Sequence, residues 1–459
     1  MGLALVKNVK AADNAQSFVF LNDDVNVDKD GGDDDLIDLQ VPARVKNIHI
    51  DGLSVTKNEL VTKQLERLFD CKTFDSVMTE SHLCKLKLER LGIFRGIEVF
   101  IDVADSKKNG EFDVYYFVKE SRRLSANAGT HVGHNEGSMS MGGRVNNIRG
   151  LGETLKANAT FGTSVSSSYE FSFSKPLLHD PDKKFSIRAL KSLTDYVQSQ
   201  YKEDAKGLVL DFTLPSPFGV HTLAWDYIWR ENIINPSAPF DIREHAGNML
   251  KSAIRHSFVS DGRDDWIFPS DGHLLKHNIE YSGVGGNVKG WKTDIELQLN
   301  KELFSDIILA AAVNTGVSRS LTNEPLAIND RYFVGGPLSV RGFAMKGIGN
   351  HSLQASMGGE VFWASGLHLY TPLPFRPGRG GFGDLFRMHF FANAGNLSNT
   401  ANLDMNEFIK RPRYSYGLGL MFMLGGMARL EVNYCIPRNA QPGDIINEGW
   451  QIGVGLNFL

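Results

Sequence analysis

One arginine stands on a tightly bent segment near the middle of the chain. The segment reads Phe333-Val-Gly-Gly-Pro-Leu-Ser-Val-Arg-Gly-Phe343, and its three glycines and Pro337 favour a turn over a helix or a strand. Arg341 lies near its tip. A planar guanidinium can bind a carboxylate through two parallel hydrogen bonds, so this arginine is suited to fastening a loop to an acidic surface.

Other residues that could support chemistry do not form recognisable sites. Cys71, His82 and Cys84 lie close in sequence, but their spacing fits no common zinc motif and favours residues that pack a helix. The Gly335-Gly336 pair is not followed by the Gly-Lys-Ser/Thr of a phosphate-binding loop. We therefore expect no metal site, no cofactor and no enzymatic activity.

The composition allows a membrane protein without membrane helices. The chain has 459 residues, of which 42% are hydrophobic, 46 are glycine and 29 are phenylalanine. Its longest glycine-free apolar run, Ile307 to Val313, is far shorter than the roughly 18–20 residues that a membrane helix needs. Strands of a membrane barrel instead alternate apolar and polar residues. The net charge of −4 gives no general attraction to nucleic acid, and no nucleic-acid partner is expected.

From Leu124 to Leu459 the chain shows that alternation in segments of roughly ten residues. In one segment Leu430, Val432 and Tyr434 share a face, and Arg429, Glu431 and Asn433 share the other. We count about sixteen segments, near 124–135, 138–148, 152–162, 167–176, 184–194, 206–214, 219–231, 249–259, 273–284, 290–301, 306–318, 359–373, 386–395, 413–424, 427–436 and 449–459. The pattern predicts a transmembrane antiparallel β-barrel of about sixteen strands.

The links between these segments support the same interpretation. Long links follow odd-numbered segments, and links after even-numbered segments are mostly short, with the link from Ser260 to Gly272 as an exception. A soluble sandwich or propeller is the alternative, but no 40-residue blade repeat is visible. In a barrel, the Arg341 loop would act as a plug or switch.

Two further regions precede the predicted barrel. Residues 1–41 hold eight aspartates between Asp23 and Asp38, which predicts an acidic disordered tail. Residues 42–122 predict a compact α+β domain in the order β-α-α-β-β. Thr56 and Glu59 fit a capping box at its first helix, and a second helix is predicted from about Phe74. The chain start lacks the features of a secretory signal or a mitochondrial presequence, which favours an organellar outer membrane reached from the cytosol.

These features resemble the outer-membrane-protein assembly family, the insertases that fold other β-barrels into membranes. Residues 42–122 are similar to a single polypeptide-transport-associated (POTRA) domain. Val340-Arg-Gly-Phe343 resembles the family motif Val/Ile-Arg-Gly-Phe/Tyr between strands eleven and twelve. One POTRA-like domain and an acidic tail resemble the mitochondrial branch, the central barrel of the sorting and assembly machinery. Gln451, Gly453, Leu456 and Phe458 match the mitochondrial β-signal, which also marks barrel clients.

The resemblance implies that β-barrel precursors enter the membrane through a lateral gate between the first and last strands. Small residues and glycines weaken strand pairing there. The predicted gate residues are Leu124, Gly129, Gly133, Gly453 and Gly455.

Arg341 is then expected to bind the barrel wall. In the family the matching arginine meets carboxylates on strands twelve and thirteen, where this chain has His368 and Asn393. Glu360 is the first candidate for a replacement carboxylate, and Glu280 and Glu296 are others.

The resemblance also implies location and partners. It places the barrel in the lipid of the mitochondrial outer membrane, with the POTRA domain and N-terminus in the intermembrane space. Implied partners are metaxin-like peripheral subunits and the cristae-organising machinery of the inner membrane. Two alternatives stay open: a passive porin-type channel, which needs neither a POTRA domain nor the arginine loop, and an organellar protein-import channel of the same family.

Overall fold

The computed structural model describes residues 41–104, 110–133, 136–162, 165–304, 306–373, 382–424 and 428–455. The predicted tail, residues 1–41, therefore lies almost entirely outside the described part. The chain divides into two compact units. Of the described residues, the first unit holds those up to Ala126 with Gly143–Lys156 and Phe173–Phe185, and the second holds the rest.

An α+β domain forms most of the first unit, in the predicted element order. Its elements are β1 (Arg44–Asp51), α1 (Asn58–Leu65), a 3₁₀ turn (Glu66–Asp70), α2 (Phe74–Arg90), β2 (Phe94–Val103) and β3 (Glu111–Glu120). The sheet order is β1-β3-β2, with β1 parallel and β2 antiparallel to β3. Alternate strand residues pack against the helices in one core that includes Ile48, Leu60, Leu88 and Val114. The period-2 and helical patterns thus bury their apolar faces together.

The predicted capping box at α1 is wrong. The residue before α1 is Lys57, and no side chain caps this helix. Instead the Glu120 carboxylate accepts hydrogen bonds from the amides of Ser54, Val55 and Thr56. A carboxylate at the end of β3 therefore accepts the hydrogen bond from the Thr56 amide that the predicted capping box had assigned to Glu59. The capping box occurs at α2, between Thr73 and Ser76.

Sixteen further strands form one sheet, in agreement with the predicted count, and β15 and β16, described below, form a separate pair. The sixteen strands are β4 (Leu124–Gly133), β5 (Glu136–Asn146), β6 (Thr154–Gly162), β7 (Val165–Leu177), β8 (Asp180–Tyr196), β9 (Tyr201–Ser216), β10 (Gly219–Ile234), β11 (Gly247–Asp261), β12 (Gly272–Ser282), β13 (Gly290–Phe304), β14 (Ile307–Ser320), β17 (Val361–Pro372), β18 (Phe386–Ser398), β19 (Arg413–Leu424), β20 (Ala428–Arg438) and β21 (Gly449–Gly455). Neighbours in sequence are neighbours in the sheet, so the topology is a meander that begins at β4 and ends at β21.

The two faces of this sheet differ in the way that the alternation predicts. On β20, Glu431 and Cys435 are fully buried, whereas Tyr434 is 41% exposed. On β10, Asp226 is buried, whereas Trp225 is exposed. We call the face that carries the buried side chains the inner face. Polar residues on it are shielded by one another and by segments that fold against it, and the opposite face is largely apolar and exposed.

Smaller elements lie in the links. Between β14 and β17 a 3₁₀ turn (Ile328–Asp330) and the two-residue strands β15 (His351–Ser352) and β16 (Ala355–Ser356) occur. Helix α3 (Phe240–Arg243) follows β10, and α4 (Met405–Lys410) follows β18. Further 3₁₀ turns span Val197–Ser199, Phe382–Leu385 and Thr400–Asn402. Within the described ranges, no helix has the length and apolar character that a membrane crossing requires.

Candidate functional site

The motif segment lies buried against the inner face of the sheet. Val340, Arg341 and Phe343 are each 0% exposed. Val340 and Phe343 belong to one apolar cluster with Ala364 of β17 and Leu397 of β18. The two apolar residues of the motif therefore fix the loop by packing, and the arginine between them is buried against the wall.

Glycine is required at the third position of the motif for two reasons. Gly342 has φ +80°, a conformation that other residues adopt only with strain. A Cβ atom there would also lie 2.9 Å from Ser415 Oγ and 3.0 Å from Pro437 Cβ. The close approach of this backbone to β19 and β20 is what brings Arg341 within reach of the wall.

Arg341 binds two side chains on different strands. Its Nη2 lies 2.7 Å from Glu431 Oε2 on β20, and neither side chain is exposed to solvent. Its Nη1 donates to Asn393 Oδ1 on β18 at 2.9 Å. The guanidinium also lies over the ring of Phe391, 5.0 Å from the centroid. Because the site is closed to solvent, loss of either partner would leave a buried charge without compensation, so the pair determines where the loop docks.

His368 and Asn393 join Arg341 to Glu431 by a second route. Asn393 Nδ2 lies 3.5 Å from His368 Nε2, and His368 Nδ1 lies 2.9 Å from His389 Nε2. His389 Nδ1 lies 2.8 Å from Asn433 Oδ1, and Asn433 Nδ2 donates to Glu431 Oε2 at 3.1 Å.

With both histidines in the neutral Nδ1–H tautomer, every donor along this route faces an acceptor. The side chains therefore close a ring of hydrogen bonds around the loop arginine.

The replacement carboxylates suggested for Arg341 are wrong. Glu360 accepts hydrogen bonds from Thr400, including one from its backbone amide at 3.0 Å. Glu280 pairs with Lys251, and Glu296 pairs with Lys276. The partner is Glu431, which lies on the predicted inward face of its strand. The predicted carboxylates lie on strands nine, ten and twelve, whereas the inward-facing order Arg429, Glu431, Asn433 marked strand fifteen.

The motif also binds the last strand. Gly342 N donates to Gln451 Oε1 at 2.9 Å, and Gln451 Nε2 donates to the carbonyl of Phe343 at 3.1 Å. Gln451 was predicted as the polar residue of the β-signal, and its side chain is used here to hold the loop backbone. The loop thus contacts β20 through Arg341 and β21 through its main chain.

The link before the last strand packs along the same loop. Phe343 and Ile446 form an isolated antiparallel bridge, and Asp444 Oδ1 accepts from Gly349 N at 2.9 Å. Asp444 in turn pairs with Arg413 of β19 at 2.9 Å. Backbone pairing and one buried carboxylate therefore join residues 439–448 to the loop.

A second anchor lies at the other end of the loop. Asp330 is 6% exposed, and its carboxylate accepts from Lys251 Nζ at 2.7 Å and from Arg230 Nη1 at 3.2 Å. The adjacent Asn329 exchanges two hydrogen bonds with Asn232, at 2.8 and 2.9 Å. These partners lie on β10 and β11, so the loop spans the inner face between two groups of strands. No motif or spacing in the sequence predicted this anchor.

The predicted gate residues lie on the first and last strands of the sheet. Leu124, 71% exposed, begins β4, which also contains Gly129 and Gly133. Gly453 stands opposite Glu431 in the β20–β21 register, and Gly455 stands opposite Arg429. Leu456 and Phe458 of the predicted β-signal lie outside the described residues.

The cysteines of the α+β domain serve packing. Cys84 is fully buried, and its thiol donates to the carbonyl of Gln64 at 3.1 Å. Burial raises the pKa of this thiol to about 11, so it is protonated and inert at neutral pH.

Comparison with known proteins agrees with this architecture. Residues 147–458 match the Omp85 superfamily domain. Over 425 residues the chain is 43% identical to the sorting and assembly machinery component 50 homolog of Xenopus tropicalis and 41% identical to that of Homo sapiens, with 90% of each protein covered. It is 34% identical to the SAM50-like protein CG7639 of Drosophila melanogaster over 94% of this chain and 99% of that protein.

Among solved structures, BamA from Haemophilus ducreyi lacking POTRA domains 1–3 superposes with a TM-score of 0.74, covering 90% of this chain and 84% of that one. The sequence identity is 19%, so this likeness concerns the fold: the sixteen-stranded sheet is a β-barrel, and its inner face lines the lumen. By its domain and its identity to these relatives, the chain belongs to the Omp85 superfamily of outer-membrane β-barrel proteins, in the group of the sorting and assembly machinery component 50 proteins.

Proposed function

We propose that this protein inserts and folds β-barrel precursor proteins into the mitochondrial outer membrane. The observation that carries the proposal is the 43% identity to a sorting and assembly machinery component over 90% of both chains. The buried arginine loop supports it, because a passive pore has no need for a segment fixed by ion pairs across its lumen. No covalent step is required.

Precursor strands enter through a lateral gate between β4 and β21. In the described part of the chain, these two strands stand at the two ends of the sheet order. Residues 124–130 of β4 are all exposed, and the outward side chains of Trp450 and Ile452 on β21 are 67% and 55% exposed. The edge of a sheet presents amide and carbonyl groups that can pair with a further strand.

An open edge inside lipid attracts an incoming strand. Each unpaired backbone group costs several kcal/mol in hydrocarbon, and pairing with a precursor strand removes that cost. Gly129, Gly133, Gly453 and Gly455 lower the stability of direct pairing between the two edges, which keeps the gate available. The reaction is strand addition, driven by backbone hydrogen bonds.

The arginine loop holds the gate strand from the lumen side. Its motif binds Gln451 through the backbone and Glu431 through Arg341. Release of the loop frees the inner face of β21 and of its neighbour β20. Docking and release of the loop therefore regulate how far the last strand can move.

The α+β domain, β1 to β3, acts as a single POTRA domain in the intermembrane space and receives precursors there. This proposal draws on the β-α-α-β-β order and on the family. Metaxin-like peripheral subunits and cristae-organising partners stay predictions from the same resemblance.

Reconstitution tests the function. The full chain in liposomes is supplied with an unfolded β-barrel precursor, and folding is followed by resistance to heat in detergent gels. We expect faster folding than in protein-free liposomes. Folding at the protein-free rate, together with stable ion conductance, would favour the porin-type channel. Fractionation that places the protein in another organelle would favour the import channel.

Crosslinking tests the gate. Cysteine pairs are scanned along Leu124–Gly133 against Gly449–Gly455 and closed by oxidation. We expect closed pairs to stop precursor folding and reduction to restore it. Normal folding with the seam closed would refute the gate while leaving the insertase activity in place.

A further inference from the structure

The link between β11 and β12 is longer than most links at its end of the barrel, and it folds inward. Within residues 262–271, Phe268 is 9% exposed and Ile267 is 6% exposed, although both lie on a connection between strands. Trp266 of the same link is 57% exposed. The link therefore directs one pair of apolar side chains to the interior and leaves a third outside.

The backbone of this link is fixed by two neighbouring aspartates. Asp265 Oδ1 accepts from the amides of Ile267 and Phe268 at 2.6 and 2.9 Å. Asp264 accepts from the amide of Ser270 at 2.9 Å. These turns hold the Phe268 backbone in one conformation, so its position does not depend on a flexible chain.

Phe268 packs into the lumen against wall residues of several strands. Its ring meets that of Tyr370 on β17 edge to face, with centroids 5.2 Å apart. It also belongs to an apolar cluster with Ile308 and Met421. The guanidinium groups of Arg387 and Arg429 lie over the ring, at 5.5 and 6.0 Å from its centroid.

Two of these neighbours hold the carboxylate that Arg341 uses. The Tyr370 hydroxyl donates to Glu431 Oε1 at 3.1 Å, and Arg429 Nε lies 3.2 Å from the same oxygen. Arg341 binds the other oxygen, Oε2. The Phe268 link follows an even-numbered barrel strand and the Arg341 loop follows an odd-numbered one. The two segments therefore reach Glu431 from opposite ends of the barrel.

We propose that residues 262–271 form a second plug, and that Phe268 is a positioning residue that orients Glu431, through Tyr370 and Arg429, for Arg341. The docking of the arginine loop is thereby coupled to the state of a link at the other end of the lumen. The purpose of this coupling rests on the proposed insertase function. There, an incoming chain displaces the link, which loosens the arginine loop and frees β21. Coupling of this kind is reciprocal.

A native cysteine can report loop release. Cys435 is 0% exposed and its thiol lies against the backbone of Gly342, so it reacts with a maleimide only when the loop moves away. Cys84, equally buried in the α+β domain, serves as an internal control for general unfolding. Peptide mass spectrometry measures alkylation of each cysteine separately in the full chain, without any insertion assay.

The test compares Phe268→Ala with Trp266→Ala, an aromatic-to-alanine change in the same link on an exposed ring. Loss of aromatic and cation–π contacts of this kind corresponds to about a two- to tenfold change in an equilibrium, so Phe268→Ala should raise alkylation of Cys435 by that factor while Cys84 stays unreactive. Tyr370→Phe, which keeps the ring and removes the hydroxyl, should act in the same direction. Trp266→Ala should leave Cys435 protected.

The decisive measurement is the combination with Arg341→Ala. Because Phe268 acts through the Arg341 anchor, the double variant should react no faster at Cys435 than Arg341→Ala alone. Equal rates of Cys435 alkylation in Phe268→Ala and Trp266→Ala would overturn the coupling. So would a double variant whose rate exceeds that of Arg341→Ala by the full factor seen for Phe268→Ala alone. Neither alkylation measurement depends on precursor insertion, so a failure of this coupling can be distinguished from a failure of the proposed insertase function.

Discussion

Replacement of Glu431 by Gln should release the arginine loop. The substitution preserves shape and removes the one carboxylate that Arg341 and Arg429 share. Glu431 is fully buried, and the side chains of Arg341 and Arg429 are 0% and 6% exposed. Two guanidinium groups would then face a neutral amide in a site closed to water.

The magnitude follows from the burial. Removal of one partner of a buried ion pair costs about 3–5 kcal/mol, because the other charge is left without compensation. Arg341 can escape this cost when the loop leaves the wall and the guanidinium enters water. The free energy of loop docking should fall by about that amount, which corresponds to roughly a hundredfold to several-thousandfold rise in the undocked fraction.

Maleimide alkylation of Cys435 measures this fraction when opening is fast compared with labelling. The matched control is Asp226→Asn, which breaks the bidentate pair of Asp226 with Arg255 on neighbouring strands. Arg255 is 35% exposed, and the pair lies on β10 and β11 rather than on the strands β18 and β20 that bind Arg341. We therefore expect a loss of about 1 kcal/mol in the free energy of unfolding and no change in alkylation of Cys435. Equal Cys435 rates in Glu431→Gln and Asp226→Asn would refute the anchor. Arg429 is unsuitable as a control, since it binds the same carboxylate.

Three further predictions concern other positions. Gly342→Ala should weaken loop docking by about 2 kcal/mol or more. The control is Gly285→Ala, which has a similar φ of +89° but no atom within 4 Å, and which should show only the roughly 1 kcal/mol of backbone strain. Equal alkylation of Cys435 in both variants would contradict the close approach of Gly342 to the wall. Asp330→Asn should raise the rate of hydrogen exchange at residues 326–334, because it breaks a buried ion pair. Asp271→Asn, which breaks an exposed pair, should not. An unchanged rate in Asp330→Asn would refute the second anchor. Burial disfavours the charged form of Glu120, but hydrogen bonds from Ser54 and Thr56 prevail and lower its pKa from 4.5 to about 2. Glu120 should therefore contribute about 1 kcal/mol to the free energy of unfolding at this half-exposed site. This contribution should be present above pH 4.5 and lost as the pH falls through 2. If hydrogen exchange of α1 has the same pH profile in Glu120→Gln as in the unaltered protein, the prediction is excluded.

The strands were predictable because their pattern is local. Alternation with period 2 places each residue on one of two faces, and all sixteen predicted segments overlap observed strands. The least accurate bounds were at β8 and β9, which continue beyond the apolar pattern into a polar region where Lys202 pairs with Asp195 at 3.0 Å. Hydrogen bonding of the ladder continues there without the apolar face that defined the prediction.

The side-chain partners were less predictable because they join distant parts of the chain. Arg341 and Glu431 are 90 positions apart, and Glu120 replaces the predicted cap from 64 positions beyond Thr56. Inward direction could be inferred for Glu431, but alternation gives no information on how deep in the lumen a loop residue will lie. Likewise the unusual length of the 262–271 link was visible, whereas its inward fold depends on the turns at Asp264 and Asp265.

The position of the carboxylate changes what the loop can regulate. Carboxylates on strands twelve and thirteen, as the family pattern led us to expect, would fasten Arg341 at some distance from the last strand. In this chain His368 and Asn393 serve as neutral members of a hydrogen-bond ring, and the charge lies on β20, directly beside β21. Gly453, across the register from Glu431, has no side chain that could separate the anchor from the gate strand. Loop docking therefore acts on β21, one of the two strands of the proposed gate, and on its neighbour β20.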